Sequence, residues 1–201
     1  MTPAPVPRRA TCAACLRAQA ACICRWVAPV QSAAALLILQ HPLEVGNAKN
    51  SARLLHLSIP GSMLAVGEAF EEAELDRLLH AGGRSPVLLY PDSAHAAAAP
   101  ALPPAAGLRL VVLDATWRKS RKMLYLNPAL QGLPRLALRD LASAYRIRKA
   151  HAPDQLSTLE AAAHALGQVE GDASRFSPLF DAFDGFVEQQ AAFVPHLKSP
   201  E

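Results

Sequence analysis

The chain has 201 residues, 20 Lys+Arg against 17 Asp+Glu, and a formal net charge of +3. At 51% hydrophobic and 18% charged residues it is too apolar for a disordered chain, and it is long enough for one domain with a small appendage to bury a core. No stretch approaches the ~20 apolar residues of a membrane helix, and the proline-rich start lacks the apolar run of a signal peptide, so a cytosolic protein is expected. The +3 is the remainder of four blocks. Residues 1–53 hold six basic and one acidic residue, and residues 109–150 ten and two. Residues 54–108 and 151–201 are acidic. Two basic blocks brought together would make one positive face, with residues 8–25 and 118–148 side by side.

In chain order, residues 1–10 read as a tail and residues 11–30 as a small cysteine-bearing module, so residues 1–30 precede a larger domain over 31–201. From Ala34 the pattern alternates strand and helix. Residues 34–40 read as a buried strand. Residues 49–59 read as a helix, 62–66 as a short strand, and 70–80 as a helix ended by Gly82-Gly83. Residues 86–90 form a strand stopped by Pro91. Residues 93–107 are an Ala/Pro-rich loop. A strand over 108–113 leads into a helix over 117–126, and Arg135 to Leu138 form a last short strand. Residues 139–156 make a long connection, and helices follow from Leu159 and from about Pro178. This order predicts an α/β fold, a mostly parallel sheet with helices on both faces. Its ligand edge lies beyond the carboxyl ends of the strands. No G-x-G-x-x-G follows a strand and no G-x-x-x-x-G-K-[ST] occurs, which argues against a dinucleotide fold or a P-loop.

All four cysteines lie within thirteen residues, as Cys12-x-x-Cys15 and Cys22-Ile-Cys24. Thiolates at that spacing can close around one tetrahedral Zn²⁺. In a reducing compartment such a cluster favours metal over disulfides, and a module this poor in bulky residues needs a staple. Four protein ligands would make the metal structural. Arg8, Arg9, Arg17 and Arg25 surround it, as expected if the module touches phosphate.

The 108–113 strand delivers Asp114 to the ligand edge, followed by Ala115-Thr116-Trp117 and a basic run, Arg118-Lys119-Ser120-Arg121-Lys122. Thr116 is placed to cap the helix. Arg118, Arg121, Lys122 and Tyr125 share one helical face; Trp117, Ser120 and Leu124 share another. Cations in a first turn oppose the helix dipole, so a phosphate ligand explains them better than helix stability does. Asp114 is a candidate general base or orienting acceptor. Trp117 either stacks on a base or packs in the core. Ser157-x-x-Glu160 is a capping box. His41 is a site residue or a helix-entry residue, and Glu44 a partner for Arg53 or another cation.

Asp114-Ala-Thr-Trp117 with its basic helix resembles the DTW-domain family, tRNA-uridine aminocarboxypropyltransferases related to the knotted SPOUT enzymes. Several further segments match that family's motifs in order. They are the Cys-x-x-Cys…Cys-x-Cys opening, His41-Pro42-Leu43-Glu44 with Asn50-Ser-Ala-Arg53-Leu54, Leu89-Tyr90-Pro91, Ser143-Ala-Tyr145-Arg146-Ile-Arg148 and Leu156-Ser157-Thr158-Leu159-Glu160-Ala161. Ser51-Ala52 stands where that pattern has Thr-Gly.

The resemblance implies a SPOUT-like fold with a knot formed by the connection from Leu138 to Thr158. It also implies S-adenosylmethionine as donor and tRNA as partner, with N3 of a uridine as acceptor and methylthioadenosine as by-product. Asp114, Thr116 and Trp117 would be the catalytic set. The donor would lie among Tyr90, Pro91, Leu113, Asp114, Leu138, Tyr145, Arg146, Ser157 and Thr158. The RNA would lie on Arg8, Arg9, Arg25, Arg53, Arg118, Lys119, Arg121, Lys122 and Arg148, and a monomer is expected. A SPOUT-like methyltransferase and a non-enzymatic zinc-bearing RNA-binding module are the rival readings.

Overall fold

A computed structural model describes residues 10–91, 102–138 and 156–193. Five strands form one parallel sheet: β1 (Ala35–Gln40), β2 (Met63–Val66), β3 (Ser85–Leu89), β4 (Leu108–Asp114) and β5 (Arg135–Leu136). Their spatial order is β2-β1-β4-β3-β5. The central strands β1 and β4 are buried on both faces, as their unbroken aliphatic runs require. Side chains alternate between faces. Leu36 and Ile38 of β1, with Leu110 and Val112 of β4, enter one core cluster; Leu37, Leu39 and Val111 enter the other. Pro86 is tolerated in β3 because β5 pairs only with Leu88 and Leu89, leaving the start of that edge free.

Helices cover both faces. Helix α1 (Ala52–Ser58), α5 (Thr158–Glu170) and α6 (Ser177–Ala192) pack on the first face; α2 (Glu72–His80), α3 (Trp117–Leu126) and α4 (Pro128–Gln131) pack on the second. Helix α1 begins at Ala52, later than residue 49, because the preceding turn satisfies its own amides. Asn47 Oδ1 accepts from the Lys49 N–H and Asn50 Oδ1 from the Ala52 N–H. Helix α2 starts after Glu71, whose carboxylate caps the Glu74 N–H. Helix α4 was not legible in the sequence. It starts at Pro128, a residue suited to a first helical turn. Helix α5 opens on the expected capping box, with Ser157 Oγ accepting from the Glu160 N–H and Glu160 accepting from the Ser157 N–H.

The cysteine module packs into the first core cluster through Cys15, Ile23 and Val30. Helix α6 keys it in place. Trp26 lies so close over Gly185 that a β-carbon there would clash with the indole ring. The Trp26 Nε1–H donates to Gln189 Oε1 at 2.5 Å, and the Gln189 amide donates to the Cys22 carbonyl at 3.1 Å.

The expectation that residues 8–25 and 118–148 line one face can be followed only over residues 10–25 and 118–138. The described part of the first segment packs with α1, α5 and α6, whereas α3 packs on the opposite side. Trp117 is not a core residue; it is 54% exposed, and the buried face of α3 is made by Ser120, Met123 and Leu124. The segment expected to form the knot, residues 139–155, lies outside the described residues.

Candidate active site

At the carboxyl edge of the sheet a cleft of about 700 Å³ opens between the ends of β3, β4 and β5 and the start of α5. That volume suits a cofactor-sized molecule. Of the residues expected to meet a donor, Tyr90, Pro91, Leu113, Leu138, Ser157 and Thr158 all line it. Thr116, Trp117 and Arg118 form its rim from the next turn. Tyr145 and Arg146 lie outside the described residues. Trp117 stands edge-on to Tyr90, ring centroids 5.6 Å apart, and the Tyr90 hydroxyl lies 3.3 Å from Ser120 Oγ. The indole is therefore propped by an aromatic neighbour while much of it faces solvent. Thr116 occupies the N-cap position of α3, but its side chain makes no capping bond.

Asp114 does not line the cleft. It is 3% exposed and sits beside it, on the α1/α5 side of the sheet. Its carboxylate accepts three hydrogen bonds among the described residues. Oδ2 takes the Gln40 amide at 2.8 Å and the Asn50 amide at 2.7 Å; Oδ1 takes the Thr158 hydroxyl at 2.6 Å. Parallel pairing aligns Gln40 with Asp114 across β1 and β4. The Asn50 side chain is itself fixed, because its Oδ1 accepts from Gln40 and from the Ala52 N–H. Such an arrangement holds a carboxylate in one orientation. It suits an orienting acceptor better than a freely accessible base. Thr158 joins the two parts: it lines the cleft and donates to Asp114.

The basic helix is partly neutralised. Lys119 Nζ lies 2.8 Å from Glu44, and Lys122 Nζ 2.9 Å from Glu68. Glu44 therefore pairs with Lys119, not Arg53. The Lys119 ammonium, helped by the Asn47 amide, holds the Glu44 carboxyl below its ordinary value against the opposing effect of burial. His41 is buried, with Nδ1 accepting from the Leu43 N–H, which places its proton on Nε2, 3.0 Å from Glu68. His41 is thus both a helix-entry residue and a member of the acid–base network beneath α3. Arg118 and Arg121 are exposed and hold no ion pair among the described residues. Arg25 is exposed over the Trp26 ring at 4.6 Å, and Arg53 is half-buried. Arg8, Arg9 and Arg148 lie outside the described residues.

The four thiols converge. Cys12 and Cys24 Sγ are 3.6 Å apart, Cys15 and Cys22 Sγ 3.7 Å, and all four lie within 4.8 Å of one another. A tetrahedron with Zn–S of about 2.3 Å has edges of about 3.8 Å, so the donor set and spacing fit one four-coordinate ion. The backbone N–H of Cys15 favours a thiolate at Cys12, lowering it to about 6, while burial pushes Cys24 up to about 12.

A family model for the DTW domain matches residues 9–191. The chain belongs to the DTW-domain family. A curated relative, tRNA-uridine aminocarboxypropyltransferase 2 of Drosophila melanogaster, is 31% identical over 175 residues, covering 83% of this chain and 69% of the relative. No solved structure matches the chain. In this DTW domain the sequence reading missed one group of site residues, the donors that hold Asp114. Gln40 reads as the last residue of a buried strand and Asn50 as part of a motif without a role. The available signal was the polar residue closing an aliphatic run, at the same sheet edge as Asp114.

Proposed function

We propose that this DTW-domain protein transfers the 3-amino-3-carboxypropyl group of S-adenosylmethionine to N3 of a uridine in tRNA. The observation that carries the reading is family membership joined to a relative named for that activity. The cleft supports it, since six of the residues expected to receive the donor line it.

In the reaction the N3–H proton leaves the uracil, a bond forms from N3 to the γ carbon of the methionine portion, and the carbon–sulfur bond breaks. The electron pair stays on sulfur, so methylthioadenosine departs as a neutral thioether. In this reading Asp114 is the orienting acceptor. It orients the Thr158 hydroxyl, which lines the cleft; Thr158 takes the N3 proton as it passes its own to the Asp114 carboxylate, the terminal proton acceptor. Trp117, exposed at the rim, offers a ring on which the target base stacks. Arg118 and Arg121 meet RNA phosphates. The cysteine cluster holds a structural zinc ion. The protein acts in the cytosol as a monomer; among the described residues no helix is long and apolar enough to cross a membrane.

The deciding experiment incubates the protein with S-adenosylmethionine and unmodified tRNA and identifies the nucleoside and by-product by mass. Methylthioadenosine is expected; S-adenosylhomocysteine would make the protein a methyltransferase. Asp114→Asn is expected to keep tRNA affinity and lose about 10²–10⁴ in transfer rate. Full activity in this variant would remove Asp114 from the mechanism.

A further inference from the structure

Arg17 belongs to the cysteine module but bonds outside it. A tight turn places it there: the Leu16 N–H donates to the Cys12 carbonyl at 2.9 Å, and the Cys12 N–H to the Arg17 carbonyl at 2.8 Å. The guanidinium then reaches out, donating to the carbonyls of Ala48 at 2.7 Å and Asn50 at 2.8 Å. It also lies over the Phe186 ring, 5.1 Å from its centroid. Both carbonyls sit in the turn that carries the Asn50 amide to Asp114. Residues 46–49 of that turn are exposed, so beyond its internal hydrogen bonds, such as the Asn50 N–H to the Asn47 carbonyl, it has little packing to fix it.

We propose that Arg17 is a positioning residue for the transfer reaction: it fixes the turn at residues 48–50 so that Asn50 holds Asp114 beside the cleft. The inference rests on the function proposed above. Arginine is suited to this because its rigid fork can meet two acceptors at once, whereas a lysine offers a point charge on a flexible stem. A guanidinium reserved for RNA phosphate would project its terminal nitrogens to solvent; here both are taken by backbone oxygens of the same turn. The cysteine cluster thereby reaches Asp114 through Arg17 and then Asn50, and order in the module is transmitted to the site along that path.

The test uses the full chain and the variants Arg17→Met, Arg17→Lys, Asn50→Ala and Arg17→Met/Asn50→Ala. Arg17→Met is expected to lose about ten- to a hundredfold in kcat, with KM for tRNA unchanged, and Arg17→Lys to recover part of the loss. The double variant should be no worse than Asn50→Ala alone within about twofold, because the two residues act in series. Amide hydrogen exchange over residues 46–52 should quicken in Arg17→Met while bound zinc and the melting temperature are retained. A raised KM with normal kcat would make Arg17 an RNA contact and overturn the proposal. Additive losses, or unchanged exchange over that turn, would also overturn it. If Arg17→Met loses its zinc, Arg17→Lys and its pairing with Asn50→Ala are read by the same criteria. If the wild-type protein makes no methylthioadenosine, the proposed activity fails, and the exchange measurement alone still decides whether Arg17 holds the turn.

Discussion

The cysteine module and helix α3 both carry arginines and lysines that a charge tally would assign to RNA, and the fold treats them differently. In the module, Arg17 turns inward onto the Ala48 and Asn50 carbonyls, and Arg25 lies exposed across Trp26. On α3, Lys119 and Lys122 are met by Glu44 and Glu68 from other segments, while Arg118 and Arg121 keep exposed guanidiniums. The module's inward cation is an arginine serving backbone geometry; the helix's paired cations are lysines serving as counter-ions. The lesson is that segment charge overstates the cations left for a ligand. Which ones remain is decided by acids and carbonyls distant in sequence.

The largest effect should come from the module's own staple. Cys15 is 2% exposed and central to the first core cluster. Cys15→Ser, or a chelator that removes the proposed zinc ion, should disorder the module. The expected cost is several kcal/mol, since binding energy at structural zinc sites is folding energy. Transfer activity should fall in parallel, because Arg17 then loses its anchor. Calorimetry with zinc quantitation checks this. A variant that melts like the wild type and still turns over would break the contrast, showing that the module is an appendage and not a support.

A smaller effect is expected at the lysine of α3 that faces Glu44. Both side chains are largely sheltered, at 22% and 10% exposure. Lys119→Met leaves a shielded carboxylate whose remaining hydrogen-bonding side chain among the described residues is the Asn47 amide, at a cost of about 1–3 kcal/mol near neutral pH. The pH dependence has a definite sign. Glu44 is held below its ordinary 4.5, first by Lys119, so its contribution is complete above that value. It is lost as the pH falls through the lowered folded-state value. The stability gap between wild type and Lys119→Met should be widest near neutral pH and narrow on acidification below 4.5. A gap that stays constant with pH would mean that Lys119 acts by packing and not by charge.

The sheet and α3 were readable because their determinants are local. Unbroken aliphatic runs at 35–40 and 108–114 make buried parallel strands, and Ser157 with Glu160 caps α5 through residues three apart. The cysteine cluster was readable for the same reason. The setting of Asp114 was not, because its donors come from Gln40, Asn50 and Thr158, which only strand register and loop closure bring together. Helical periodicity grouped Trp117 with Ser120 and Leu124. It could not show that the first turn of α3 overhangs the cleft, where the indole meets Tyr90 and solvent. The packing of the cysteine module and α3 on opposite faces of the sheet was likewise invisible, since it depends on which side of the sheet each connection crosses.

The smallest expected effect tests the contrast within α3 itself, by salt dependence. An arginine that neutralises one phosphate adds about one to the slope of log affinity against log salt. Arg121→Ala and Arg118→Ala should each lower the slope for tRNA binding by about that amount. Lys119→Met should leave it unchanged, because its ammonium already lies 2.8 Å from Glu44. Arg118 lines the cleft, so its variant should also weaken transfer, whereas Arg121→Ala should weaken binding alone. Filter binding across a salt series, with turnover measured on the same preparations, separates these outcomes. Equal slope changes for all three variants would show that RNA draws Lys119 away from Glu44. In that case the acids beneath α3 would hold the lysine in the free protein and release it to RNA on binding, rather than withholding it.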